Sequence, residues 1–463
     1  MKRAVHIKLL SILMCAVMVF GYTFFFNTVY TQAASVTGTV SVSDVLNVRT
    51  GPGTNNSILQ DKDKKNVQLP AGHMVTILST HNSTDGGSIK WYKVTFTYKG
   101  QMLTGYVRSD YIIVYTPPVD GELSEDFEKS ISGFPESYKP YLRALHLKYP
   151  KWKFKPLNTN LNWNTVVKEE TALGRSLTSS TILSYRSTMK GAYDWSTDKY
   201  IMLDGGGWYQ AAEDVVKYYL DPRNFLDEKN VFQFELLSFD AGVQTKSGVE
   251  TMLSGTFMDN KKISNGSSQI TYAQSFMVAA SQSKASPYHL TSRVIQEVGR
   301  QGSDSVSGTV KGYEGIYNFY NIGASSGTNP ILNGLSFAKT GGSLSAANKT
   351  KYLIPWNSQY KSIVGGAKWI ASNYINIGQD TLYLQKFDVD NSDGQLYWHQ
   401  YMTNVGAAAS EAGTIYSAYK DMGIIDGSIL FSIPVFNNMP TERCALPAAK
   451  GNPNNLLKTL SVS

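Results

Sequence analysis

The stretch Ser286-Pro287-Tyr288-His289-Leu290-Thr291-Ser292-Arg293-Val294-Ile295-Gln296-Glu297-Val298-Gly299 carries the clearest local signal in the chain. Ser286 is suited to cap a helix, because its hydroxyl can accept from a free backbone N–H. Pro287 is suited to the first helical position, where no N–H is needed. Gly299 is suited to the stop. The spacing therefore predicts one helix over Pro287–Val298. On a wheel of about 100° per residue, with Leu290 at zero, Val294 falls near 40°, Val298 near 80° and Glu297 near −20°. The carboxylate sits beside the apolar stripe, not opposite it. Burial there disfavours its ionised form. The helix C-terminus disfavours negative charge as well. Both effects favour a proton-donating acid near neutral pH, the kind of group that general-acid catalysis needs. Arg293, four residues earlier, works the other way if it pairs with Glu297. A boundary Glu bonded to Arg293 or to a loop amide is the alternative reading.

Working outward, Tyr272–Gln282 reads as a preceding helix. The aromatic loop Gly315–Ala324 follows, with Asn318, Phe319, Tyr320 and Ile322. Glu314, just before that loop, is the nearest second acid, because no Asp or Glu occurs from Ala324 to Gln379. Helical spacing recurs over Tyr138–Tyr149, Trp163–Leu173, Ala211–Leu220, Phe225–Phe239 and Ala407–Lys420, and residues 424–436 look strand-like.

The N-terminal third reads differently. Leu46-Asn47-Val48-Arg49-Thr50-Gly51-Pro52-Gly53, Val75–Leu78, Trp91–Phe96 and Gly105–Ile112 are short strands with turn signals between them, the pattern of a small barrel. Pro117-Pro118 and the acidic stretch after it read as a linker. Lys2, Arg3 and Lys8 flank the apolar stretch Leu9–Phe26, and Thr31-Gln32-Ala33-Ala34 offers small residues for cleavage. Residues 1–34 are therefore a signal peptide, with an uncleaved signal anchor as the alternative. The predicted organisation is a leader over 1–34, a barrel over 36–116, a linker over 117–133, a mainly helical (α+β) domain over 134–436 and a C-terminal tail over 437–463.

Composition narrows the function classes. The chain has 463 residues, 42% hydrophobic and 17% charged, which excludes wholesale disorder. The 29 tyrosines suit partly exposed polar grooves, where a ring packs while its hydroxyl bonds. The net charge is +7, or +4 without Lys2, Arg3 and Lys8. That balance suits an anionic surface such as a cell wall. There is no dense Lys/Arg run, which argues against nucleic acid. The two cysteines are Cys15 and Cys444; once the leader is removed Cys444 has no partner within the chain. The histidines show no metal-ligand spacing, and no metal or organic cofactor is implied.

Two resemblances give these readings a family context. "LNVRTGPG", "WYKV" and "GYVRSDYI", in that order, resemble the bacterial SH3-like domain, which implies a wall-binding barrel. "SPYHLTSRVIQEVG" (286–299), "GIYNFYNIGA" (315–324) and "YKSIVGGAKWIASNYI" (360–375) resemble the glucosaminidase family of lysozyme-like peptidoglycan hydrolases, in its secreted Gram-positive branch. That resemblance implies a secreted, wall-associated enzyme acting on the β-1,4 bonds of peptidoglycan. It implies Glu297 as the general acid and Asn318, Phe319, Tyr320 and Ile322 as cleft residues. Glu314 is the candidate second carboxylate. If it does not face the cleft, the substrate's own N-acetyl group takes that role, with Tyr383 polarising it. Rival readings are a muramidase or lytic transglycosylase on the same fold, and a non-catalytic wall-binding or adhesin protein.

Other motifs fail on context. Ser281-Gln282-Ser283-Lys284 and Lys339-Thr340-Gly341 lack the element that penicillin-binding enzymes place between them. Gly323-Ala324-Ser325-Ser326-Gly327 runs into Asn329-Pro330 instead of a helix. Asp388–Gly394 has its Gly one position late for an EF-hand and His399 where the Glu belongs.

Overall fold

Alternating side chains build the first unit. The computed structural model describes residues 37–42, 44–70, 72–115, 123–324, 329–390 and 394–447; the expected leader lies outside them. Strands β1 (Thr37–Val40), β2 (Val45–Asn47), β3 (Gln68–Pro70), β4 (Met74–His81), β5 (Trp91–Tyr98), β6 (Gln101–Arg108) and β7 (Ile112–Tyr115) form this region. Five of them make an antiparallel sheet in the order β6-β5-β4-β1-β7, and β2 pairs with β3. Bridges from Arg49 to both Ile58 and Tyr106 curl the β2 side against β6. The inward set (Val48, Val67, Leu69, Val94, Phe96, Val107) forms a separate small core. Gly105 is required in β6, because a Cβ there would come within 2.4 Å of the Val48 side chain.

A larger core begins at Phe127. The helix Glu125–Ser130 is capped by Ser124, and Phe127, Ile131 and Phe134 join the main hydrophobic cluster. The expected linker 117–133 is therefore too long: its second half packs, because two of its apolar side chains, Phe127 and Ile131, find a core. Helices Lys139–Lys148, Trp163–Glu170, Glu213–Leu220, Lys246–Leu253, Tyr272–Ser283, Pro287–Val298, Pro330–Thr340, Gln359–Asn373, Leu382–Phe387 and Ala407–Asp421 follow. The strand Lys153–Asn162 pairs in parallel with Leu430–Asn437, with Phe154 opposite Phe431, and so joins the two ends of this helical region. Both rings, with Trp152 and Phe232, lie in the core.

Phe225–Phe239 is not the predicted α-helix. A 3-10 turn, Pro222–Phe225, ends at its first residue and another, Asn230–Phe234, lies within it. The Asp227 carboxylate accepts from the backbone N–H groups of Lys229 (2.9 Å) and Asn230 (2.9 Å), which diverts the chain into a turn. Val231, Phe232 and Phe234 are all buried, so no polar face remains for a surface helix.

The barrel is docked on the helical region by the segment after Asn437, part of the expected tail. Arg443 donates to the Arg223 carbonyl (3.2 Å) and to the Thr39 hydroxyl, and its guanidinium stacks 4.8 Å from the Tyr141 ring centre. Arg223, in a buried ion pair with Asp221 (2.8 Å), donates to the carbonyls of Thr441 and Glu442 at 3.0 Å each. The Cys444 N–H donates to Asp221 (3.0 Å). Burial, with Asp221 alongside, pushes the Cys444 thiol up to about 12, which argues against a reactive thiolate.

Candidate functional site

The helix predicted from sequence runs over Pro287–Val298, with Ser286 accepting from the His289 N–H and Gly299 at its end. Leu290, Val294 and Val298 face the core. Arg293 and Glu297 are left on the rim, four residues apart on the side that the core does not cover. The Glu297 side chain is 35% exposed, so it is half-enclosed and not sealed. Arg293 sits 3.6 Å from one of its carboxylate oxygens. The Asn321 amide donates to the Glu297 carbonyl at 2.8 Å and to the other carboxylate oxygen at 3.4 Å. Glu297 thus has both alternative partners anticipated from sequence, an arginine and a loop amide, and still faces a groove.

That groove has a volume of about 690 Å³. Its floor and walls include Tyr320, Asn321, Ile322, Phe337, Trp369 and Tyr374. Among the described lining residues, Glu297 is the only acid. The loop that forms one wall is shaped from within. Asn318 is buried; its amide donates to the carbonyls of Ile322 (2.8 Å) and Gly334 (2.9 Å), and its carbonyl accepts from the Ile322 N–H (3.1 Å). The Phe319 N–H donates to the Ser362 hydroxyl (3.0 Å) while its ring fills the core. Tyr320 lies against Gly366 of the Gln359–Asn373 helix, where a Cβ would come within 2.4 Å of the ring. Burial raises the Tyr320 hydroxyl pKa, and among the described residues that hydroxyl has no hydrogen-bond partner. Asn321 adopts a left-handed φ of 49°, which turns its amide towards Glu297.

The anticipated residues therefore divide. Glu297, Tyr320 and Ile322 line the groove. Asn318 and Phe319 support its wall from behind. Glu314 and Tyr383 do not reach it. Glu314 is exposed on the loop, with both carboxylate oxygens accepting from the Gly312 N–H (3.0 and 3.1 Å). Its own backbone N–H and that of Gly312 hold its carboxyl below the usual range. Tyr383 is fully buried and donates to the Leu220 carbonyl (2.5 Å), so its hydroxyl is committed to the core. Sequence reading missed Asn321, Phe337, Trp369 and Tyr374. Asn beside Ile-Gly in a turn was a usable signal for Asn321, because Asn tolerates positive φ. Phe337 comes from the Pro330–Thr340 helix, and Trp369 and Tyr374 from the Gln359–Asn373 helix and its end; their meeting gave no local signal.

A second chamber adjoins the groove. It measures about 350 Å³ and shares Arg293, Ile370 and Tyr374 with it. On the barrel, a separate cavity of about 360 Å³ is lined by Asn47, Trp91, Arg108 and Tyr111 among others, with the Arg108 guanidinium 4.7 Å from the Tyr111 ring centre.

Comparison with known proteins separates the two regions. The sequence profile of the bacterial SH3 domain matches residues 44–113. The barrel is a bacterial SH3 domain. Over 235 residues the chain is 32% identical to a beta-N-acetylglucosaminidase of Bacillus subtilis, covering 50% of this chain and 23% of that protein. Over 169 residues it is 28% identical to a bifunctional autolysin of Staphylococcus epidermidis, covering 35% of this chain and 11% of that protein. The chain thus spans less than a quarter of the length of either relative. The crystal structure of a major bifunctional autolysin aligns with 61% of this chain and 98% of its own, at 21% identity and a TM-score of 0.41.

Proposed function

We propose that this chain is a peptidoglycan hydrolase acting outside the membrane. In this reading the helical region is a lysozyme-like glucosaminidase domain, and the SH3 domain holds it to the wall. It cleaves the β-1,4 bond between N-acetylglucosamine and N-acetylmuramic acid. The observation that carries the proposal is Glu297 on the rim of an aromatic-walled groove, held by Arg293 and Asn321. The similarity to a protein named beta-N-acetylglucosaminidase supports this choice of bond over the muramidase alternative.

Glu297 acts as the general acid. It protonates the glycosidic oxygen as that oxygen leaves and positive charge builds on the anomeric carbon. Asn321 fixes the direction of the carboxyl. With Glu314 turned onto Gly312 and no second acid lining the groove among the described residues, the substrate's N-acetyl carbonyl serves as the nucleophile. It closes a ring on the anomeric carbon, and water then opens that ring. The protein needs only one carboxylate for this route, one of the known exceptions to the paired-carboxylate rule.

The test is Glu297→Gln in the full chain. Lysis of purified walls is expected to disappear while co-sedimentation with walls persists. New reducing ends in the wild-type digest are expected on N-acetylglucosamine. Lysis by the Gln variant at the parent rate overturns the assignment of the acid. Reducing ends on N-acetylmuramic acid would replace the glucosaminidase reading with the muramidase one.

A further inference from the structure

Residues 171–210 form an excursion of short hairpins that, among the described residues, contributes no side chain to either large hydrophobic core. Tyr193–Asp194 pairs with Lys199–Tyr200, and Met202–Asp204 pairs with Trp208–Gln210, which lies beside Leu177–Thr178. At one end Tyr185 and the barrel's Val42 pack on the same small apolar cluster, and Val42 also lines the barrel cavity. At the other end the Leu177 N–H donates to the Thr403 carbonyl (2.8 Å), and its carbonyl accepts from the Val405 N–H (2.9 Å). Those bonds join the excursion to the segment that carries Trp398 and Tyr401, and Tyr401 stands edge-on to the groove residue Tyr374 at 6.0 Å. The excursion therefore lies between the barrel and the groove. We propose that it is a second glycan-holding surface, with Trp195 and Trp398 as its platforms, which keeps a long peptidoglycan strand on the protein beyond the groove. The inference rests on the hydrolase function proposed for Glu297 and adds a site outside that groove.

The exposed rings come first. Trp398 is 77% exposed and Trp195 50%. Leu173, Met189 and Ile201 are exposed on the same excursion. An exposed apolar patch with polar groups around it marks an interaction site. The rings are held in place. The Arg175 guanidinium lies 4.9 Å from the Trp398 ring centre, and Arg175 donates to the Glu169 carbonyl (3.0 Å). The Arg186 guanidinium lies 3.8 Å from the Tyr209 ring centre and donates twice to the Ser180 carbonyl (2.9 and 2.7 Å). Trp195 stands edge-on to Tyr193 at 4.7 Å. A braced ring loses little freedom when a ligand packs on it. A pyranose can lay its C–H face on such a ring while its hydroxyls reach the polar groups beside it.

Charge then separates glycan from other partners. Residues 187–210 carry two lysines, Lys190 and Lys199, and three aspartates, Asp194, Asp198 and Asp204. Docking on anionic lipid needs an excess of cations around the apolar side chains, and this surface has none. A stable protein interface is depleted of charge at its core, whereas here acids and lysines alternate with the rings. A polysaccharide asks for neither condition. It needs aromatic faces set apart along a path, with hydrogen-bonding groups between them.

The experiment uses the full chain carrying Glu297→Gln, so that ligands are bound and not consumed. Its ligands are peptide-free glycan strands from purified walls and a tetrasaccharide of the same repeat, which the groove alone accommodates; affinities are read by calorimetry. Trp195→Ala combined with Trp398→Ala is expected to lower the ratio of strand to tetrasaccharide affinity about tenfold. Tyr at both positions is expected to restore it. An equal loss on both ligands overturns a surface separate from the groove, and undiminished strand binding overturns the platforms. Sedimentation with phosphatidylglycerol vesicles that the paired Ala substitutions abolish would assign the surface to the membrane and overturn the glycan. Each of these results leaves the hydrolase reading standing as long as Glu297→Gln abolishes lysis; persistent lysis in that variant removes the hydrolase reading itself.

Discussion

Glu297 and Glu235 are the same amino acid in opposite settings. Glu297 stands on a groove rim, 35% exposed, with Arg293 and Asn321 as partners. Glu235 is 2% exposed, between the Leu430–Asn437 strand and the Ala407–Asp421 helix. It accepts from the Tyr419 hydroxyl at 2.5 Å, and among the described residues its second oxygen has no partner. Burial pushes its carboxyl up to about 8 against the opposing pull of Tyr419. Its raised pKa therefore belongs to an acid that no substrate can reach. A raised carboxyl pKa marks a catalytic residue only where a cavity meets it.

Exchanging each carboxylate for an amide sharpens this contrast. Glu297→Gln is expected to lower wall lysis about 10³-fold, within the usual range for loss of a general acid, with an unfolding midpoint unchanged in urea. A drop in stability comparable to the loss of activity would erase the distinction between rim and core. Glu235 is expected to act on stability alone. Its carboxyl holds a proton more tightly in the folded state, so its contribution is complete below about 4.5 and is lost as pH rises towards about 8. The change is about 5 kcal/mol at about 1.4 kcal/mol per pH unit. Urea titrations from pH 5 to 9 are expected to show stability falling in the parent protein and a flatter profile in Glu235→Gln, with lysis retained. Parallel profiles in the two proteins would refute the buried-acid account.

Smaller changes probe the groove side. Asn321→Ala removes the amide that aims Glu297, and is expected to lower kcat about tenfold with little change in KM, about 1.4 kcal/mol of barrier. A rise in KM alone would make Asn321 a binding group. Glu314→Gln is expected to change lysis less than twofold, because its carboxylate is turned onto the Gly312 N–H. A large loss there would return Glu314 to the site and displace the substrate's N-acetyl group as nucleophile.

Local rules read parts of this molecule well. The Ser286 cap, Pro287 and the Gly299 stop act over one or two turns, so Pro287–Val298 was legible residue by residue. The wheel also placed Glu297 at the edge of the buried face, where the structure has it. The misreadings share a different cause. Phe225–Phe239 has helical spacing, but Asp227 captures the next N–H groups and the aromatic rings are enclosed by distant elements. Tyr383 was expected to polarise the substrate's N-acetyl group, but its hydroxyl is spent on the Leu220 carbonyl, 163 positions away.

The sequence by itself determined the barrel, the acid-ended helix and the aromatic loop, because alternation, capping and turn chemistry are satisfied by near neighbours. Tertiary structure alone decided which carboxylate faces a groove, that Asn321 holds it, and that Phe337, Trp369 and Tyr374 line it. Those outcomes depend on which surfaces remain after the core has closed, and exposure is a property of the packed whole that no short window of residues encodes.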